Sequence, residues 1–351
     1  MRSDIDLNKA GDLRYWVPSV PFPCRELLSF KHLDLKVVIM IPRFSIAIFS
    51  IAIFSAWSSP DCFAQEASSQ TLNSVGDGFP IKITYYPAPS GGNQSGPTKE
   101  APVVVIVPGE DENRTAWDKG SSPRNVDRKL PEELQRSGFA VITVDLRKQG
   151  ESVLEGREES IKPIDYQRMV VGDLEAVKEF IFKEHQAGKL NMRKLGLIGS
   201  GSGAAIASTF AEYDWKKPPY DDHALVLERT PRGQDVRALV LISPHLKAGD
   251  AKTGSAMNFL KNPNFQVALM VIVGEADNDN YKNGQTLYKQ FSNVKGAEER
   301  SVLWTPPLKD HGIALLQQPV QVAYNPILQF CEKRLKALDT PWQDRRSRLV
   351  R

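Results

Sequence analysis

The chain has 351 residues, 41% of them hydrophobic, and a formal net charge of +3. That length and apolar content suit one large buried core, since α/β folds of roughly 250 residues form single domains. No basic stripe interleaved with aromatics occurs along the chain, so a nucleic-acid partner has no compositional support.

Residues 1–39, with "WVPSVPFPC" and no clear periodicity, read as a non-native extension or an upstream mis-start ahead of Met40. From Met40 the chain places Arg43 before an apolar run over 44–57, then small and polar residues ending Cys62-Phe63-Ala64. That order is the pattern of a secretory signal peptide, with cleavage expected after Ala64 and a periplasmic or extracellular mature protein. The run of about 14 residues falls short of the roughly 20 that span a bilayer, so no stable membrane span is expected after cleavage. Asp61 before Cys62 is unsuited to a lipoprotein site, which wants a small residue there. The mature chain keeps one cysteine, Cys331, within the amphipathic "NPILQFCEKRLKAL", where a buried structural thiol is expected. His185, His223, His245 and His311 are scattered without paired ligand spacing, so no metal is indicated. No cofactor motif is present.

Residues 65–79 read as a polar lead-in and "FPIKITYYPAP" as a half-buried edge strand. Thereafter short apolar runs alternate with helical stretches. "APVVVIVPG", "FAVITVDLR", "KLGLIG", "VRALVLIS", "VALMVIVG" and "SVLWTP" are the strands. "VDRKLPEELQRSG", "DYQRMVVGDLEAVKEFIFKEH", a stretch beginning at Gly203, one around Tyr281 and a long C-terminal stretch are the helices. Met169, Val170, Leu174, Val177, Phe180 and Ile181 give the second of these one apolar face. Continuous apolar strands separated by amphipathic helices predict an α/β fold, a mostly parallel sheet covered on both faces, over residues 80–338. Residues 214–234 form the one insertion long enough to act as a lid. Residues 339–351, with Arg345, Arg346, Arg348 and Arg351, read as a frayed, solvated basic tail.

In open parallel sheets ligands bind at the carboxyl ends of the strands. There the chain carries Pro108-Gly109, "DLRKQGES", "GSGSG", "GEAD" and "TPPLKDHG", in that order. Taken together they resemble the α/β-hydrolase superfamily. "DLRKQGES" looks like its D-x-R-G-x-G-x-S turn, with Lys148 where glycine is usual. The resemblance implies Asp277 as triad acid, His311 as triad base, and an oxyanion hole fed by amides of the loop at Gly109 and Glu110. In that loop Glu110, Asp111 and Glu112 follow Gly109 directly; facing the hole they would oppose oxyanion stabilisation, and the alternative is that they point into solvent.

The superfamily's nucleophile sits on a tight strand-to-helix turn between small residues. In one register Gly199 and Gly203 are those flanks, and Gly201 stands where the nucleophile should be. In the other, Ser200 and Ala204 flank Ser202. A one-residue shift turns the strand's faces, which a sheet buried on both sides resists, so the first register is favoured. "AEYDW...PP" and "GQDVRALVLISP" further resemble exported bacterial proteins of this fold in which the nucleophile is commonly not serine. Three functions stay open: a degenerate hydrolase acting as a binding module, a serine esterase or acyl hydrolase using Ser202, His311 and Asp277, and a hydrolase in which His311 activates water. A small-molecule, ester-like substrate fits the last two, while no feature identifies a protein partner.

Overall fold

The structure, a computed structural model, describes residues 66–90, 98–119, 129–154, 156, 159–317 and 323–350. The extension over 1–39 and the signal-like segment over 40–64 lie outside the described residues. Among those residues no helix is long and apolar enough to cross a membrane.

Eight strands form one sheet: β1 (Ser68–Asn73), β2 (Pro80–Tyr86), β3 (Val103–Val107), β4 (Ala140–Asp145), β5 (Leu195–Ser200), β6 (Val236–Ile242), β9 (Ala268–Ile272) and β10 (Ser301–Trp304). Their spatial order is β1-β2-β4-β3-β5-β6-β9-β10. The pairings β1/β2 and β2/β4 are antiparallel. All the others in the sheet are parallel. A two-strand hairpin, β7 (Lys247–Ala248) with β8 (Ala251–Lys252), stands apart. The helices are α1 (Arg114–Lys119), α2 (Leu130–Arg136), α3 (Pro163–Arg168), α4 (Leu174–Gln186), α5 (Ser202–Lys216), α6 (Thr253–Leu260), α7 (Tyr281–Ser292) and α8 (Tyr324–Cys331). A π-helical turn, Met169–Asp173, joins α3 to α4.

Strand side chains alternate between two cores. Val103, Val105 and Val107 join Val177, Ile181, Phe210, Leu287 and Phe291 on one face. Val104 and Ile106 join Trp117, Leu134, Ile327 and Phe330 on the other. Burial on both faces is what the unbroken valine, leucine and isoleucine runs require. Cys331 lies buried in the second core, where burial pushes its thiol up to about 12 and leaves it a packing residue.

Three expectations change. The polar lead-in contains β1, whose backbone pairs with β2 from Ser68↔Tyr85 to Asn73↔Pro80. Edge pairing needs little apolar content, and only Leu72 packs on the core. The lid-like insertion lies at the wrong edge of the sheet to cover the carboxyl ends. Helix α5 starts at the carboxyl edge and runs back about 22 Å over its 15 residues, so the insertion begins beside the start of β6. There the Asp214 carboxylate accepts from the Asp235 amide at 2.8 Å, and Trp215 donates to the Val236 carbonyl at 2.9 Å.

The basic tail is tied down. Arg345 is 5% exposed and pairs with Asp235 at 2.8 Å. Trp342 packs its ring on His185 at 5.0 Å, and its indole donates to the His185 carbonyl. Arg345 is held because Asp235 and Asp214 are fully buried carboxylates that share Lys178, while Lys217 reaches Asp214 alone, at 4.0 Å. Burial pulls the Lys178 ammonium down to about 8 against the opposing field of Asp235. A second cation from the tail offsets the remaining charge.

Candidate functional site

Helix α5 seats hard against the sheet. An ideal Cβ on Gly199 would lie 2.6 Å from the Ala204 Cα, and one on Gly203 would lie 2.3 Å from the Pro108 carbonyl oxygen. No side chain fits at either position. The strand runs two residues beyond Ile198 to Ser200, Ser202 is the first residue of α5, and Gly201 stands between them with φ 52° and ψ −118°. L-residues with a Cβ adopt that conformation only under strain.

The residue nearest the Gly201 position is His245, which lies just beyond β6 and was not among the expected site residues. Its Nε2 lies 3.7 Å from where a Cβ of Gly201 would be. Its backbone amide donates to the Gly201 carbonyl at 3.1 Å, and its own carbonyl accepts from the Thr253 hydroxyl at 2.6 Å. The backbone of an exposed imidazole is thus fixed beside the turn. The signal that could have found it is positional, because "LISPH" puts a histidine just past a strand at the carboxyl edge.

The two expected oxyanion amides already have partners. The Gly109 amide donates to Glu112 Oε2 at 3.2 Å, and the Glu110 amide donates to Ser202 Oγ at 2.8 Å. Ser202 is 4% exposed. The acidic loop divides between the two alternatives. Glu110 and Asp111 are exposed, the former accepting from the Tyr166 hydroxyl at 2.7 Å, whereas Glu112 turns inward. Its Oε1 accepts from Ser200 Oγ and from the Ile313 amide, each at 2.8 Å, and its Oε2 also accepts from the Trp117 indole at 3.3 Å. One carboxylate therefore joins the loop after β3, the end of β5 and the loop carrying His311. The Gly312 amide adds a bond to Ser243 Oγ at 3.0 Å.

Asp277 and His311 sit on adjacent loops, since the Ala276 amide donates to the Leu308 carbonyl at 2.9 Å. The expected hydrogen bond between their side chains is absent. Asp277 spends both oxygens on its own turn, accepting from the Asp279 and Asn280 amides and from Asn280 Nδ2. His311 is exposed, and its side chain makes no hydrogen bond or ion pair among the described residues. A short carboxylate next to free amides at the start of α7 closes on those amides first, which removes it from the imidazole.

The "DLRKQGES" turn is built from buried charge. Asp145, fully buried, accepts from the Arg114 and Glu151 amides. Burial raises its carboxyl above the ordinary range while those bonds pull it back. Arg147 holds Asp173 at 2.6 Å and Asp77 at 2.7 Å. Lys148 takes φ 64°, a glycine-like conformation, and anchors it through Asp165 at 2.8 Å and Glu159 at 3.1 Å. Among the described residues no group of three or more His, Cys, Asp or Glu is arranged to hold a metal ion.

No protein-family model matches the chain, and no curated protein matches it. Solved structures do. An esterase from Pyrococcus furiosus is similar at 14% identity over 77% of this chain and 92% of that one, with a TM-score of 0.53. The alpha/beta hydrolase GrgF from Penicillium sp. sh18 is similar at 12% identity over 78% of this chain and 100% of that one, with a TM-score of 0.50. At such identities the likeness is one of fold.

Replacing Glu112 by Gln keeps its shape but sets an amide NH2 against donors that now meet a carboxylate oxygen. Hydrogen bonds to a charged acceptor are worth about 1.5–3 kcal/mol each, and donors left unmatched cost a similar amount. Glu112→Gln is expected to lower unfolding free energy by about 2–3 kcal/mol in urea titrations. Hydrogen exchange should quicken at Ile313, and an unchanged Ile313 would show that Glu112 does not hold that loop.

Proposed function

Taking the α/β-hydrolase fold of this chain as the premise, we propose that it is an exported, hydrolase-like protein whose serine machinery is degenerate. It acts as a binding or interaction module rather than by acyl transfer. The observation that carries this reading is Gly201 itself, with positive φ at the strand-to-helix junction and no side chain to offer. Three further features support it. The His245 imidazole occupies the space beside the turn. The Gly109 and Glu110 amides, expected to feed an oxyanion hole, are bonded to side chains. The acid and base on the neighbouring loops are not bonded to each other.

The esterase reading needs Ser202 as nucleophile. Its Oγ accepts from the Glu110 amide, so attack would require breaking a bond to an amide that is expected to stabilise the tetrahedral oxyanion. The water-activating reading needs Asp277 to orient His311, a contact the side chains do not make. Glycine at the turn also relieves strain that a nucleophilic serine tolerates at a cost of about 1–3 kcal/mol.

A fluorophosphonate probe should leave the wild-type protein unlabelled by intact mass. Gly201→Ser should stay largely unlabelled as well: the His245 imidazole beside it has no side-chain hydrogen bond among the described residues to orient it, and the Gly109 and Glu110 amides are already bonded. Wild-type labelling that disappears in Ser202→Ala would make the protein a serine hydrolase and overturn the reading.

Export rests on the basic, apolar, small-residue order over residues 40–64. N-terminal sequencing of protein recovered outside the cytoplasm should begin just after Ala64. Protein confined to the cytosol with residues 40–64 intact would contradict export.

A further inference from the structure

The insertion over residues 214–234, displaced from the carboxyl edge, builds a cleft of about 320 Å³ against α4 at the other edge of the sheet. Small-molecule sites begin at roughly that size. Its apolar surface comes from Phe182, Met192 and Tyr220. Pro218 and Pro219 stiffen the approach to Tyr220, whose amide donates to the Thr230 carbonyl at 2.9 Å and closes the loop on itself. The Asp222 carboxylate then pins that loop, accepting from the Thr230 amide and from the tail's Arg348 amide, each at 2.9 Å. The cleft wall is therefore held from both sides rather than left as a free loop.

Charge in the cleft is uneven once internal pairs are set aside. Lys217 is bonded to Glu175. Lys178, at the back, is bonded to Asp214 and Asp235. Arg232 and Lys183 are left, neither making a hydrogen bond or ion pair among the described residues, with Glu179 the one unpaired carboxylate in the lining. Arg232 is not loose, because its guanidinium lies 5.5 Å over the Tyr220 ring. A ring beneath a guanidinium restrains its plane while leaving its N–H fork open, which is the arrangement that receives a carboxylate or phosphate in two bonds. An adjoining depression of about 190 Å³ shares Glu175, Lys217 and Arg232, and its Lys216 is paired with Glu212, so Arg232 is its unpaired cation among the described residues.

We infer that this cleft binds a small organic anion, its carboxylate or phosphate held by Arg232 and Lys183 and its apolar body laid against Phe182, Met192 and Tyr220. The site is separate from the turn at Gly201 and stands whether or not that turn is catalytic. The apolar surface predicts that the organic body contributes alongside the charge, so an inorganic anion alone should bind more weakly.

Isothermal titration of the full chain with phenyl phosphate, benzoate and inorganic phosphate tests this. Saturable binding of phenyl phosphate or benzoate at one site per chain is expected, with inorganic phosphate weaker. Arg232→Gln should weaken the organic probe about tenfold or more, the loss of a charge-assisted bidentate pair. Because Arg232 is exposed, its replacement should leave the unfolding midpoint unchanged; Lys282→Gln, on α7, should leave binding unchanged. Absence of saturable binding by either organic probe, inorganic phosphate binding as tightly as phenyl phosphate, or wild-type affinity in Arg232→Gln would each overturn the proposal.

Discussion

Everything at the carboxyl edge depends on how closely α5 lies on the sheet. Gly203 touches the Pro108 carbonyl and Gly199 touches the backbone of Ala204, so helix and strands approach to a distance that no Cβ permits. Glycine near a helix start costs up to about 1 kcal/mol of intrinsic propensity against alanine, and the packing of Ala204, Ile206, Ala207 and Phe210 in the first core offsets it. With the helix fixed there, the loop after β3 is held in register. Glu110 then lies over Ser202, and Glu112 lies beneath Ser200. Through Glu112 the same constraint reaches the loop that carries His311.

The buried charges act at a different level. Arg147 joins the end of β4 to Asp173 in the π-helical turn and to Asp77 between β1 and β2. Lys178 and Arg345 join α4 and the tail to Asp214 and Asp235 at the opposite edge. Such pairs add little net stability relative to an apolar core, yet removing one member costs about 3–5 kcal/mol because the other is stranded. They therefore specify where distant segments dock. The N-terminal strand and the C-terminal tail, both nearly devoid of apolar content, have backbone pairing, Trp342 and these ions to hold them.

How much was legible in the sequence divides along the same line. Sheet, helices and their alternation were readable because valine-rich runs and the apolar face of α4 are local patterns. The glycines flanking residue 201 were readable as a motif, since close approach leaves a compositional trace. What was not readable depended on direction rather than identity. Asp277 and His311 stand on neighbouring loops, but nothing in "GEADNDN" says that the carboxylate closes on Asn280 instead of reaching across. Glu112 is indistinguishable in sequence from Asp111, yet one is a hub and the other faces water. The insertion was misplaced for a reason the chain order did contain, because a segment between a helix and the next parallel strand belongs to the amino edge. Arg345 looked like tail charge because its partner, Asp235, is 110 residues away.

On the proposed reading, this fold has kept its strand-to-helix turn and lost acyl transfer at it. Stopped-flow mixing of the protein with p-nitrophenyl acetate tests this, since an acyl-enzyme would release a burst of nitrophenolate before steady state. No burst is expected, and Ser202→Ala should leave the turnover rate unchanged. A burst approaching one equivalent per chain that Ser202→Ala abolishes would contradict it.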